Sequence, residues 1–182
     1  EHNEIVVAAN YNCPGQLVIS GSLKGIEIAS IVSCIPKNKV NLYDLANQFG
    51  QNEVSKIIKT TGIESVRQAD FNITTSDLCI ESAKEIIRNN NINISEIDAI
   101  IFVSQTADYK MPQTSHIIQD KLKLSEHTIC FDLPIGCNGY IYGLYQSSLL
   151  ISSKSCKKVL LLSGDTSSKL IVNILILYLF CS

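Results

Sequence analysis

Apolar positions in the second half of the chain gather into three near-continuous runs, at residues 99–103, 128–133 and 157–162. Runs of that length without alternation are the pattern of strands buried on both faces. Between them lie a polar loop from Ser104 to Lys110, a helical stretch from Pro112 through Ile117, Ile118 and Leu122, and a glycine-punctuated helical stretch from Cys137 to about Ser153. Strand, helix, strand, helix, strand predicts a parallel sheet covered by helices, hence an α/β fold. Upstream, Ile26, Ile28, Ile31, Val32 and Ile35 read as a half-buried strand closed by Pro36. Asn41 is placed to cap a helix carrying Leu42, Leu45, Ala46 and Phe49 and stopped by Gly50, and a second helical run over 53–60 ends at Gly62. Residues 63–67 suit a short strand. Thr75 or Ser76 is placed to cap the clearest amphipathic helix, through Leu78, Ala83, Ile86 and Ile87 to Arg88, which Asn89, Asn90 and Asn91 end.

The two ends have a different texture. Residues 5–9 and 17–20 are extended runs joined by the turn-rich Asn10-Tyr-Asn-Cys-Pro-Gly15, which predicts a small hairpin. Such a hairpin is marginal alone, so it is expected to be dispensable for folding. Residues 170–180 are almost wholly apolar, but a membrane span needs roughly 20 such residues and Asn173 interrupts this shorter run. A buried strand or an aberrant end is expected there rather than an anchor, and no signal peptide is visible.

Composition narrows the function classes. With 182 residues, 46% hydrophobic and 18% charged, the chain can bury one sizeable core, and it carries too little charge for disorder. Its 15 Lys and Arg against 17 Asp and Glu leave a net charge of −2, so no basic excess exists to neutralise phosphates and nucleic acid is excluded as a partner. The seven cysteines, at 13, 34, 79, 130, 137, 156 and 181, contain no C-x-x-C pair. That pattern fits neither a disulfide framework nor a zinc site, and it suits a reducing, cytoplasmic compartment. A first residue of Glu1 rather than Met leads to the expectation of a fragment, a processed product or an altered reading frame.

Candidate chemistry concentrates in Phe131-Asp-Leu-Pro-Ile-Gly-Cys137-Asn-Gly-Tyr-Ile-Tyr-Gly143. There a buried strand ends and a small-residue turn delivers a cysteine to the start of a helix. Unpaired N–H groups and the dipole at a helix N-terminus favour a thiolate, the reactive form of sulfur. Gly136 is expected to take up the strained backbone of the turn. Gly139 and Gly143 would leave one helix face bare for close approach of another helix. A catalytic nucleophile and a buried, inert thiol are both open on this spacing alone. Cys130, inside the strand, and Cys156, beside two lysines, are expected to be packing residues.

In combination, five motifs give the chain from about residue 23 to 171 a resemblance to the N-terminal half of β-ketoacyl-acyl carrier protein synthase III, a condensing enzyme of the thiolase-like superfamily. They are Ser33-Cys-Ile-Pro36; Thr60-Thr-Gly-Ile-Glu64 with Arg67; Gln105-Thr-Ala-Asp-Tyr109 with Met111-Pro112; Phe131-Asp-Leu with Gly136-Cys-Asn-Gly139; and Leu162-Ser-Gly-Asp-Thr-Ser-Ser168. The resemblance implies an incomplete thiolase-like fold, βαβαβ layers with a buried central helix. It implies that Cys137 is the acyl-accepting nucleophile in condensation of an acyl thioester with malonyl-acyl carrier protein in fatty acid biosynthesis. The acyl group would come from acyl-CoA or an acyl-carrier thioester, with no metal or other cofactor, in a homodimer. Met111 stands where the family has a residue that crosses the dimer interface to close the partner's acyl pocket; a simple apolar interface contact is the other reading. The family's catalytic His and Asn lie in its C-terminal half. No His follows Cys137 here, and His116 and His127 precede it, so sustained condensation by this chain is not expected. His116 is expected to be a surface or core residue. Two rivals stay open: a Cys-dependent acyl transferase or thioesterase, and a non-catalytic half-domain that only pairs with a partner. Residues 4–21 resemble an internal stretch of malonyl-CoA:acyl carrier protein transacylase. The expected organisation is therefore a transacylase-like remnant over 1–22, a synthase-like half-domain over 23–171 and a non-family apolar tail over 172–182.

Overall fold

The computed structural model describes residues 3–9 and 26–169. Seven strands and five α-helices follow one another as β1 (Asn3–Ala9), β2 (Ile26–Ser33), β3 (Lys39–Asn41), α1 (Ala46–Phe49), α2 (Gln51–Thr61), β4 (Ser65–Arg67), α3 (Thr75–Asn89), β5 (Ala99–Val103), α4 (Thr114–Lys121), β6 (Ile129–Leu133), α5 (Gly139–Ser152) and β7 (Lys158–Ser163). Five strands form the main sheet in the order β2-β1-β7-β5-β6, every pair parallel. The short β3 and β4 make a separate antiparallel pair.

The apolar runs behave as a doubly covered sheet requires. β5 is buried at all five positions, and Val159, Leu160, Leu161 and Leu162 of β7 are all 0% exposed. Alternation divides them between two cores. Ile100, Phe102, Leu160 and Leu162 meet Cys79, Ala83, Ile86 and Ile118 of α3 and α4. Ala99, Ile101, Val103, Val159 and Leu161 meet Ile151 and Cys156, with Tyr140 and Leu144 of α5 packed alongside. The reason is topological. The connection from β5 to β6 steps outward and that from β6 to β7 steps back across β5, so right-handed crossovers place α4 and α5 on opposite faces.

Several expected elements shift for identifiable reasons. β6, expected to be buried on both faces, has Ile129 exposed and Cys130 to Leu133 only half-buried, because it is the outer strand of this sheet. Asn41 does accept from the Tyr43 N–H at 3.0 Å, although the first turn after it, Leu42–Leu45, is 3-10 rather than α. Gly62 ends α2 in the left-handed conformation with φ 72°, where glycine carries no Cβ penalty. The cap of α3 is Thr74, one residue before the expected pair. Its hydroxyl accepts from Asp77 N–H while the Asp77 carboxylate accepts from Thr74 N–H, a reciprocal capping box. α4 begins at Thr114 rather than Pro112, since residues 110–113 form a turn that includes a cis Met111–Pro112 peptide.

The largest departure is at the N-terminus. The run at 5–9 is a strand, but it pairs in parallel with both β2 and β7 and sits between them. It is an interior strand of the sheet rather than an arm of a separate hairpin. The expected second arm at 17–20, and the apolar tail from 170, lie outside the described residues. Among the described residues, no helix is long and apolar enough to cross a membrane.

Candidate active site

The carboxyl ends of β5, β6 and β7 lie side by side, and the chain leaves β5 and β6 toward opposite faces of the sheet. Crevices at such reversals are where open parallel sheets place their chemistry. Ser104 N–H bonds to Leu133 O at 3.1 Å and Gly164 N–H to Val103 O at 3.1 Å, so the three exits are laced together by backbone.

Asp165, just beyond β7, organises the loop after β5. One of its carboxylate oxygens accepts from Gln105 N–H at 2.8 Å, and from Ser104 Oγ, Thr106 N–H and Thr106 Oγ1 at 3.0 Å each. Thr106 Oγ1 also accepts from Thr166 N–H at 2.8 Å, and Thr75 Oγ1 at the start of α3 lies 2.9 Å from the hydroxyls of both Thr106 and Thr166. This lattice ties three segments 31 to 91 residues apart in sequence. Two further carboxylates finish helix ends. Asp132 of β6 accepts from Thr114 N–H at 2.8 Å and Ser115 N–H at 2.9 Å, capping α4, and Asp108 accepts from Ser76 N–H at 3.1 Å and from its hydroxyl.

Cys137 stands on the turn between β6 and α5, immediately before the Asn138 N-cap, and it is exposed. The turn is closed by Ile135 N–H to Leu133 O at 2.8 Å and Gly139 N–H to Gly136 O at 2.7 Å. The glycines around it serve for space. Gly136 has no positive φ, so the expected backbone strain is absent; a Cβ there would lie 2.0 Å from Gln105 Nε2. Gly139 and Gly143 present their bare face to the sheet rather than to another helix, with a Cβ at either position 2.6 Å from Val103 Cγ1 or Leu161 Cδ1. α5 is therefore seated closely on β5 and β7, and its first turn is fixed at the carboxyl end of β6.

The other described cysteines are held back from reaction. Burial pushes the Cys130 thiol up to about 11, helped by the Asp132 charge. Cys79 is fully buried and its thiol is raised by that burial first, then by Asp108, Cys34 and Asp165. Burial, then Asp98, raises Cys156; burial, then Glu81, raises Cys34. Raised values keep sulfur protonated and weakly nucleophilic.

Met111 is 90% exposed at the end of the β5–α4 loop. His116 and His127 are both exposed, so His116 is a surface residue. A hollow of about 220 Å³ lies between the lattice and α3, lined by Thr74, Thr75, Thr106, Asp108, Thr166 and Lys169 among others; Cys137 is not part of it. No group of three or more His, Cys, Asp or Glu suited to a metal is present among the described residues. Gln105, Asp132 and Asp165 stand in the motifs quoted for the resemblance, but the sequence assigns none of them a role. The signal for Asp132 and Asp165 was a lone acid inside or just after an apolar run; for Gln105 it was its place in the motif that follows β5.

The comparisons with known proteins converge on this half of the fold. The family model for 3-oxoacyl-[acyl-carrier-protein] synthase III matches residues 131–175, the stretch that carries Cys137, α5 and β7. A β-ketoacyl-[acyl-carrier-protein] synthase III of Neisseria gonorrhoeae is 32% identical over 145 residues, 80% of this chain and 45% of the relative. These matches support the β-ketoacyl-acyl carrier protein synthase III family for this stretch of chain. Among solved structures, a 3-oxoacyl-(acyl-carrier protein) synthase of Burkholderia xenovorans superposes with a TM-score of 0.69 at 31% identity, over 70% of this chain and 37% of that one. The synthase III of Aquifex aeolicus gives 0.66 at 29% identity, over 75% and 43%. The fold is thus an incomplete thiolase-like α/β fold. The chain spans less than half the length of the curated synthase III relatives it matches, 42–45% in four of them.

Proposed function

We propose that Cys137 is the acyl-accepting nucleophile of a synthase III-type condensing enzyme of fatty acid biosynthesis. The observation that carries this is the delivery of an exposed thiol, alone among the described cysteines, onto the turn between β6 and α5 at the carboxyl edge of the sheet. In the proposed reaction the thiolate attacks the carbonyl of acyl-CoA or an acyl-carrier thioester, and the tetrahedral adduct expels the donor thiolate, which takes up a proton. Malonyl-acyl carrier protein then loses carbon dioxide, and its carbanion attacks the acyl-Cys carbonyl. The C–S bond breaks, a 3-oxoacyl-carrier thioester forms and the Cys137 thiolate is restored. No metal or redox cofactor enters. No His follows Cys137 within these 182 residues, so acylation of Cys137 is the step proposed for them. Consumption of malonyl-carrier protein with acyl loss separates condensation from the rival transferase or thioesterase.

The partner of the same reading is a second copy. β6 has no strand on its outer side among the described residues, and Ile129, Tyr109 and Met111 are exposed, at 41%, 54% and 90%. In the proposed homodimer Met111 meets the partner at the edge of its acyl site. The compartment proposed is the cytoplasm, and residues 1–22 are proposed to be transacylase-like in origin, with Asn3–Ala9 serving as β1 of the sheet. The experiment for the reading as a whole is mass-spectrometric detection of an acyl adduct on Cys137 after incubation with an acyl thioester.

A further inference from the structure

We propose that Gln105 is a positioning residue for Cys137, and that Asp165 acts on the nucleophile turn through it. The inference rests on the reading of Cys137 as the acyl acceptor. Its geometry comes from two sides. On one, the Gln105 backbone N–H is fixed to Asp165 at 2.8 Å, inside a set of four bonds to a single carboxylate oxygen. On the other, the Gln105 side-chain amide occupies the space over Gly136, with Nε2, Cδ and Oε1 at 2.0, 2.8 and 3.4 Å from where a Cβ would stand.

The turn needs such a brace. Asn138, the N-cap of α5, makes no side-chain capping bond, and ahead of the helix the turn is held by backbone bonds at Ile135 and Gly139. Gly139 N–H donates to Gly136 O at 2.7 Å, so a shift of the Gly136 peptide moves the first turn of α5 and Cys137 with it. Gly136 is required for the space that Gln105 fills, since its φ is one any residue adopts. The arrangement links β7, through Asp165, to the β5 loop and then to the β6–α5 turn, so that the exits of all three strands set the position of one sulfur. Acyl transfer from a thioester depends on oriented attack, where a misplacement of roughly 1 Å costs up to about 10²-fold. Alkylation by a small, freely tumbling reagent depends mainly on exposure of the thiol.

The test compares the parent with Gln105→Ala, Gly136→Ala, the Gly136→Ala/Gln105→Ala double variant and Asp165→Ala. Three rates are followed: acetylation of Cys137 by acetyl-CoA, alkylation of Cys137 by iodoacetamide, and amide hydrogen exchange in peptides covering the β6–α5 turn. Protection of the buried Cys79 reports whether each variant stays folded. A brace predicts that Gln105→Ala raises exchange at the turn and lowers the acetylation-to-alkylation ratio by roughly fivefold or more, while Cys79 stays protected. Gly136→Ala should do the same, because its Cβ evicts the amide, and the double variant should be no worse than either single change. Additive effects, or a Gln105→Ala variant with parental exchange and parental ratio, would overturn the proposal. If the parent itself is not acetylated while the exchange pattern follows the brace, the brace stands and the acyl-acceptor reading fails. If Asp165→Ala exposes Cys79 to label, the Gln105→Ala and Gly136→Ala pair still decides the question.

Discussion

Cys137 differs from its neighbours in exposure, and that difference sets an order of reactivity. Cys79 and Cys156 are 0% and 2% exposed, and burial pushes the thiols of Cys34, Cys79, Cys130 and Cys156 upward. Limited iodoacetamide treatment followed by peptide mapping should label Cys137 ahead of these four. Labelling of Cys130 or Cys156 first, in folded protein, would contradict the assignment of the turn. Gly143 is the second informative residue. A Cβ there meets Leu161 Cδ1 at 2.6 Å and Val103 Cγ2 at 3.0 Å, both on strands buried in the core. Gly143→Ala gains helix propensity of about 1 kcal/mol but lifts α5 off the sheet, at a cost of roughly 1–3 kcal/mol. The expected result is a net fall in melting temperature, measured by thermal denaturation. An unchanged or raised value would mean that α5 is not packed as closely as described.

At the scale of elements, β1 and α3 carry opposite lessons. β1 has hydrogen-bonded partners on both sides, so removing residues 1–22 opens a gap between β2 and β7 in the main sheet. A chain starting at Leu23 is therefore expected to lose most of its cooperative melting transition, the reverse of what a detachable hairpin would do. Melting like the parent would show that β1 adds nothing to the sheet. The periodicity at 5–9 revealed a strand but not its neighbours, because pairing of segments far apart in sequence is set by the tertiary sheet and leaves no local mark. The same is true of the Asp165 lattice, whose bonds join residues about 60 apart. By contrast β5, β7, α2 and the Cys137 turn were legible, since burial on both faces, a helix-stopping Gly62 and a strand-to-helix junction are local patterns. α3 adds a pH dependence. Burial raises the Asp77 carboxyl, but hydrogen bonds from Thr74 and the Lys121 ammonium outweigh it and leave the group below its ordinary range. A lowered folded value means that the stabilisation is full above the ordinary carboxyl range near pH 4 and is lost as pH falls through the folded value. The side chain is 36% exposed, so the amount is expected to be under about 1 kcal/mol, and Asp77→Asn should flatten stability against pH in that acid window. A parental acid profile in Asp77→Asn would remove Asp77 from the capping box.

At the scale of the whole molecule, α5 is covered on one side only among the described residues. Gly139, Gly143, Ser147 and Ile151 are buried against the sheet, while Ile141, Tyr142, Tyr145 and Leu149 on the other side are 43–58% exposed. Exposed apolar side chains gathered on one helix face mark an interaction site. The synthase III relatives are more than twice as long as the stretch matched here. The chain by itself is expected to associate at micromolar concentration, read by light scattering, and Ile141→Glu with Tyr145→Glu should reduce that association. A monodisperse, cooperatively melting monomer with unaltered α5 would mean that this face needs no partner.

The most direct measurement of the central claim is the mass of the intact chain after incubation with acetyl-CoA or an acetylated carrier protein, followed by peptide mapping. Cys137 as acyl acceptor predicts one acetyl group per chain, located on Cys137, released by neutral hydroxylamine and absent from Cys137→Ala. An adduct that persists in Cys137→Ala, or no adduct from either donor while iodoacetamide still labels Cys137 in the folded protein, would contradict it.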